Sequence, residues 1–291
     1  MATAAQWWAG ARPRTLPAAI APVAVGAGLG VHAGAFSAVR VLLALGVAVL
    51  LQVGVNFAND YSDGIRGTDA VRVGPVRLVG QGLAPAAAVR RAALLALLAA
   101  ALLGVALIAL TGQWWLLLVG AACIAAAWLY TGGPRPYGYA GLGEVFVFVF
   151  FGPVPVVGTA YVQTLSVSAL DLVASVGVGL VICAILVTNN LRDIPGDTEV
   201  GKRTLAVRLG DERTRVLYAA MVTGALVVPI LLVPFLSPIV ALGVLTGLLA
   251  LSPLRIVLGG ATGPGLIPAL KATGTFVLVY GLVLGLLIAI A

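Results

Sequence analysis

The sequence predicts an all-α protein. It is expected to form one domain, residues 1–291, folded as a polytopic membrane helical bundle. Nine transmembrane helices and a cytoplasmic polar cap are expected. Three observations point there. First, 61% of the 291 residues are hydrophobic and 9% are charged, against about 45–50% apolar and about 25% charged in a soluble domain. Second, the apolar runs match the roughly 20 residues a helix needs to cross a bilayer core, well beyond the about 9–11 of a barrel strand. Third, the basic residues gather in alternate connections.

The first span is expected at 15–34. Pro17 and Pro22 interrupt it, which favours a retained helix over a cleaved leader, and Trp7 and Trp8 suit the membrane interface. The second, 40–59, runs into "NFANDYSD" at Asn56–Asp63. The third and fourth, 91–110 and 114–131, are joined by a short turn. The fifth, 143–161, follows the glycine-rich "YTGGPRPYGYAGLGE". The sixth, 170–190, leads into "NNLRDIPGD" at Asn189–Asp197. The seventh and eighth, 215–235 and 237–254, are followed by a ninth at 270–290; Pro238 and Pro253 bracket the eighth. Cys123 and Cys183 lie within spans and read as small apolar packing residues. With one histidine, His32, they cannot make a zinc site.

Charge sets the expected orientation. With alternating sides, sixteen of the seventeen basic residues fall in connections on one side, and Arg40 alone falls opposite. The positive-inside rule places the N-terminus in the cytoplasm and the C-terminus outside, in a cell inner (plasma) membrane. The net charge of +7 is therefore a topology signal and implies no nucleic acid partner. Of ten acids, only Asp171 falls in an outer connection. One face thus carries nearly all the polar chemistry.

On a helix, Asn56, Asp60 and Asp63 share a face through i,i+4 and i,i+3 spacing, as do Asn59 and Asp63. Asn189, Asp193 and Asp197 repeat the i,i+4 spacing. Pro195 and Gly196 are expected to break the helix, so that Asp197 turns inward from a loop. Carboxylates at a membrane face are costly to desolvate unless paired or coordinated. Oxygen donors without His or Cys suit a hard cation, and magnesium binds one or two carboxylates plus substrate phosphates. The two clusters, each beside Arg or Lys, suggest Mg2+ as the cofactor, with the ions holding a diphosphate between them. Arg72, Arg77, Lys202 and Arg203 are expected to neutralise phosphate oxygens. The alternative is that these Asp residues cap helix ends or pair with local arginines.

Taken together, "NDYSD" and "RDIPGD" resemble the signatures of the UbiA superfamily of intramembrane aromatic prenyltransferases. "RPRTLPAAIAPV", "NFANDYSDGIRGTD", "GPVRL", "YTGGPRPYGYAGLGE", "FFGPVPVVGTAYVQ" and "NNLRDIPGDTEVGKRTLAVRLG" are similar to the branch that prenylates 1,4-dihydroxy-2-naphthoate. These stretches cover residues 12–210. The resemblance implies polyprenyl diphosphate and an aromatic naphthoate as substrates in the lipid bilayer, loss of carbon dioxide and diphosphate, and demethylmenaquinone as product. It matches Asn56, Asp60 and Asp63 to the first metal-binding motif, Asp193 and Asp197 to the second, and Lys202 and Arg203 to the basic residues after it. Asp60, Asp63, Asp193 and Asp197 are expected to be catalytic, and Asn56, Asn59, Asn189, Lys202 and Arg203 to bind substrate.

Glu144, a carboxylate just before "VFVFVFF", is expected to hold or deprotonate an acceptor hydroxyl; otherwise it adds favourable charge to a helix N-terminus. Tyr130, Tyr137 and Tyr139 are near enough in sequence to stack on an aromatic ring. Rival readings are a sister prenyltransferase with another acceptor, a membrane transporter, and a CDP-alcohol phosphotransferase. A transporter would place ionisable groups near the bilayer midplane, whereas here they gather at one end. "DGIRG" lacks the continuation of the CDP-alcohol signature.

Overall fold

The structure is a computed structural model that describes residues 2–67 and 76–291. Helix α1 (Ala4–Gly10) opens with a capping box between Thr3 and Gln6. A single 3-10 turn, Pro13–Thr15, then leads into α2 (Pro17–His32). Pro13 and Pro17 lack donors, and Arg12 takes a left-handed φ of 55°. The result is a 47° elbow in place of a straight first helix. Helix α3 (Ala38–Ile65) starts on a Ser37 cap and continues through the whole first Asp cluster. Helix α4 (Ala86–Thr111) ends at Gly112, whose φ of 70° suits glycine.

Next come α5 (Leu116–Leu129), α6 (Gly143–Phe151), α7 (Pro153–Thr164) and α8 (Ala169–Glu199). The expected break at Pro195 does not occur: α8 runs through it to Glu199, and Asp197 is helical. Proline forfeits one backbone bond, and this one falls in the last turns, where Thr198 Oγ1 donates to Ile194 O at 2.7 Å. A short α9 (Leu205–Leu209) precedes α10 (Asp211–Leu231). The eighth expected span differs in kind. It is a 13-residue 3-10 helix, Pro238–Ala250, followed by α11 (Leu251–Leu258). Val240, Gly243 and Thr246 are its buried residues along with Ala250. Their spacing of three matches a 3-10 face, with Gly243 set against Pro229 of α10. Helix α12 (Ile267–Ile290) closes the chain.

Among the described residues, seven helical stretches are long and apolar enough to cross a membrane, or eight if the bent α1–α2 pair forms one span. Helix α5 has 14 residues, about 21 Å, against a core of about 30 Å. The fourth expected span is therefore shorter than the others.

A larger apolar core joins α2, α7, α8, α10, α11 and α12, and a smaller one gathers Phe57, Ala58, Leu78, Val89 and Ala93 around α3 and α4. At the α2–α12 contact, a Cβ on Gly28 would lie 2.1 Å from Gly285 O, so the backbones touch directly. The two lone charges of the expected outer face are helix caps. Arg40 donates to Val162 O and Gln163 O at the end of α7, at 3.0 and 3.4 Å. Asp171 forms a capping box with Ser168 at the start of α8.

Candidate active site

A cavity of about 460 Å³ lies among α2–α8. Asn56, Asp63, Arg77, Asn189, Asp197 and Lys202 line its polar end, and Leu51, Leu107, Val119, Phe150 and Val154 line its apolar part. Charged groups and an apolar channel therefore share one space.

Asp63 is the centre of the polar end. It is 2% exposed and accepts a hydrogen bond from the Tyr139 hydroxyl. Its carboxylate lies 3.8 Å from Arg77 Nη2 and 3.6 Å from Lys202 Nζ. Lys202 Nζ is also 3.9 Å from Asp197 Oδ1 and 4.4 Å from the centre of the Tyr139 ring. One ammonium thus bridges the carboxylates of α3 and α8 over an aromatic face. The Lys202 loop is pinned to the Tyr139 loop by Arg203 N–H on Tyr139 O at 2.9 Å and Arg208 Nη2 on Ala140 O at 2.8 Å.

Helix geometry separates the residues of the first cluster. At about 100° per residue, Asn56 and Asp63 differ by only about 20°, with Asn59 to one side and Asp60 to the other. Asn59, which accepts from Thr131 Oγ1 at 2.8 Å, stays on the cavity wall. Asp60 does not line the cavity. It is fully buried, and its oxygens accept the backbone N–H groups of Leu78 at 2.7 Å and Val79 at 3.1 Å. The residue read from the sequence as a metal ligand latches the chain beside Arg77. Asn56 does line the cavity, but its Nδ2 donates to Ala11 O at 3.0 Å and Thr15 Oγ1 at 2.9 Å, tying α3 to the N-terminal elbow.

In the second cluster, Asn189 and Asp197 face the cavity. Asp193 is held bidentately by Arg192, at 2.7 and 2.8 Å, and Arg192 itself lines the cavity. Arg203 contributes its backbone N–H, and its side chain is not on the wall. Arg72 lies outside the described residues. Glu144, in the first turn of α6, is buried behind Asn190, whose Nδ2 donates to Glu144 Oε1 at 2.9 Å.

Tyr130, Tyr137 and Tyr139 all line the cavity. Tyr137 stacks on Phe146 at 4.0 Å and donates to Ala126 O at 2.7 Å. Burial pushes its phenol well above the ordinary value, so it remains a neutral donor. Arg12, Arg192 and Asn190 were not expected on this wall. Arg12 carried a signal, the Pro-flanked "RPRTLP", that reads as an elbow once its helix is seen to bend.

The all-helical fold and this site define a membrane-embedded enzyme of one class, and the chain belongs to the UbiA prenyltransferase family, whose model matches residues 19–259. It is 53% identical over 282 residues to the 1,4-dihydroxy-2-naphthoate octaprenyltransferase of Mycobacterium tuberculosis, covering 97% of this chain and 96% of that protein. Among solved structures, the apo UbiA homolog of Aeropyrum pernix K1 matches with a TM-score of 0.71 at 17% identity, over 95% of this chain and 98% of that one. A UbiA homolog from Archaeoglobus fulgidus bound to DMAPP and Mg2+ matches with 0.67 at 15% identity, over 96% and 99%.

The donor chemistry fits magnesium. Among the described residues, no three His, Cys, Asp or Glu side chains are grouped to hold a metal alone. Two carboxylates from opposite helices do meet at one cation, the Lys202 ammonium, and the amides of Asn59 and Asn189 stand on the same wall. An all-oxygen set with few carboxylates suits an ion that brings phosphate oxygens and water with it.

Proposed function

We propose that this protein transfers a polyprenyl chain from polyprenyl diphosphate to 1,4-dihydroxy-2-naphthoate, releasing carbon dioxide and diphosphate and giving demethylmenaquinol, the reduced form of demethylmenaquinone. The reading includes one integral-membrane domain of nine spans in the cell inner membrane, with the N-terminus and polar cap cytoplasmic and the C-terminus outside. The observation that carries it is the Asp63–Lys202–Asp197 bridge at the polar end of an otherwise apolar cavity. A ligand with a multiply charged head and a hydrocarbon tail matches that division. The 53% identical relative supports the choice of acceptor.

Asp63 and Asp197, with the amide oxygens of Asn59 and Asn189, would hold magnesium. When bound, it supplies Lewis-acid neutralisation of the leaving diphosphate. Lys202 and Arg77 exchange their carboxylate contacts for phosphate oxygens as the head group enters. Asp60 fixes the Arg77 segment, and Arg192 positions Asp193. The apolar channel seats the tail and keeps water from the cation-like prenyl C1. The ring carbon bearing the carboxylate then bonds to C1, and the C1–O electron pair leaves with diphosphate. The electron pair of the ring–carboxylate bond returns to the ring as carbon dioxide departs. Glu144 serves the acceptor side.

The test is product analysis with purified protein, a prenyl diphosphate and the naphthoate. The expected result is the mass of the decarboxylated prenyl adduct, abolished by EDTA and restored by magnesium. Full activity in chelator, or prenylation of a different acceptor class in preference to the naphthoate, would defeat this reading.

A further inference from the structure

We infer that Asn190 receives an acceptor hydroxyl on its side-chain carbonyl and that Glu144 is the positioning residue that aims it. The inference rests on the prenyl-transfer function proposed for this site and adds its acceptor-side contact. Glu144 is 5% exposed and does not line the cavity, whereas Asn190 does. A carboxylate only accepts hydrogen bonds, so the Asn190 nitrogen, 2.9 Å away, must face it. The carbonyl Oδ1 is thereby turned from Glu144, and no described residue donates to it. Glu144 Oε2 is itself buried with no hydrogen-bond partner. Keeping a carboxylate there is costly, and the α6 dipole offsets only part of that cost. An acid retained at such a place, with its hydrogen bond spent on one cavity amide, fixes the direction of that amide.

The surroundings fit a planar ring. Tyr130 stands edge-on to Tyr137 at 5.4 Å, Tyr137 stacks on Phe146, and all three line the cavity. Leu186, one turn before Asn190 on α8, lines the same wall. The Tyr137 hydroxyl is committed to Ala126 O. Asn190 Oδ1 is therefore a polar point beside an aromatic and aliphatic surface, which suits a hydroxylated aromatic. The reaction chemistry agrees with a positioning role. Carbon dioxide loss restores the aromatic ring, so no ring proton has to be taken by a base. Accepting a hydrogen bond from a ring hydroxyl raises electron density at the attacking carbon. The Glu144 charge, acting through the Nδ2–H group, strengthens the amide oxygen as an acceptor.

The test measures naphthoate binding by equilibrium titration without prenyl diphosphate, then both KM values. Asn190→Leu and Glu144→Leu are expected to weaken the naphthoate Kd and KM by about 10- to 100-fold, the range of one lost charge-assisted hydrogen bond, with the prenyl diphosphate KM little changed. Glu144→Gln, whose side-chain carbonyl still accepts from Asn190, is expected to restore most of the affinity lost in Glu144→Leu. 2-Naphthoate, which lacks both hydroxyls, is expected to bind wild type and Asn190→Leu alike. Unchanged naphthoate affinity in Asn190→Leu overturns the inference. So does a turnover loss of about 10²–10⁴-fold in Glu144→Gln with acceptor affinity intact, which is the signature of a general base. If Glu144→Leu does not fold, Asn190→Leu and the two naphthoates decide. A wild-type protein that binds the naphthoate through its hydroxyls yet does not prenylate it overturns the reaction and leaves this contact standing.

Discussion

Replacing Asp60 with asparagine separates two roles that the sequence alone cannot distinguish. In the structure this carboxylate is fully buried and accepts two backbone N–H groups, from Leu78 at 2.7 Å and Val79 at 3.1 Å. Asparagine has a single acceptor oxygen and turns its NH2 toward the second N–H, so one bond is lost and the other loses its charge. A hydrogen bond to an ionised group contributes about 1.5–3 kcal/mol, and a neutral one about 1 kcal/mol. The net local loss is about 3 kcal/mol, roughly 10²-fold in the opening equilibrium of this segment. Hydrogen exchange at Leu78 and Val79 should therefore accelerate by about that factor. Because Arg77 lies on the same segment and reaches Asp63, prenyl diphosphate affinity should fall as well. The assay is amide exchange by mass spectrometry over residues 76–84, paired with prenyl diphosphate titration at fixed magnesium. Unchanged exchange with lost magnesium-dependent binding would show that Asp60 is a metal ligand and that the latch argument is wrong.

Lys202→Met removes the ammonium between Asp63 and Asp197, leaving buried carboxylates short of a counter-charge. Such losses cost about 3–5 kcal/mol, and magnesium should restore a larger share of the melting temperature in the variant than in wild type; a metal-independent melt would refute the shared-cation geometry. In a background with Cys123 and Cys183 replaced, Thr198→Cys should resist an impermeant thiol reagent in intact cells, whereas Ser166→Cys should react. The reverse pattern would invert the membrane orientation. Gly28→Ala places a methyl 2.1 Å from Gly285 O and should lower the melting temperature in detergent by several degrees, since the α2–α12 backbones must part; a neutral result would mean the two helices separate freely.

The sequence was legible where periodicity acts locally. The i,i+4 and i,i+3 spacing of Asn56, Asp60 and Asp63 and the apolar runs specify helices, and the quoted motifs lead to the family whose model matches the chain. It was less legible where the deciding partner is distant. Nothing near Asp60 indicates that its acceptors meet N–H groups 18 and 19 residues on. Pro195 carries a breaker signal, yet near a helix end the loss of one backbone bond is small enough for α8 to continue. The eighth span becomes a 3-10 helix because packing on α10 and α12 favours a period of three, which an all-apolar segment does not reveal. Arg12 reads as a topology charge until the elbow brings it to the cavity wall.

The division of the cavity into a charged end and an apolar channel also governs how the products leave. On the proposed function, a polyprenyl diphosphate would be retained by its head, because Lys202, Arg77 and a bound cation would act only on the phosphates. On the proposed reaction, the new carbon–carbon bond severs that tether and the acceptor's carboxylate departs as gas. The remaining molecule would carry no formal charge, so the polar end that secured the prenyl diphosphate would have no electrostatic hold on the product. Helix α5, short and with only Ala126 buried, supplies Leu116, Val119 and Cys123 to the wall of the apolar channel. The two leaving species are thus sorted by polarity, the diphosphate toward water and the quinol toward lipid, and the departure of one does not obstruct the other.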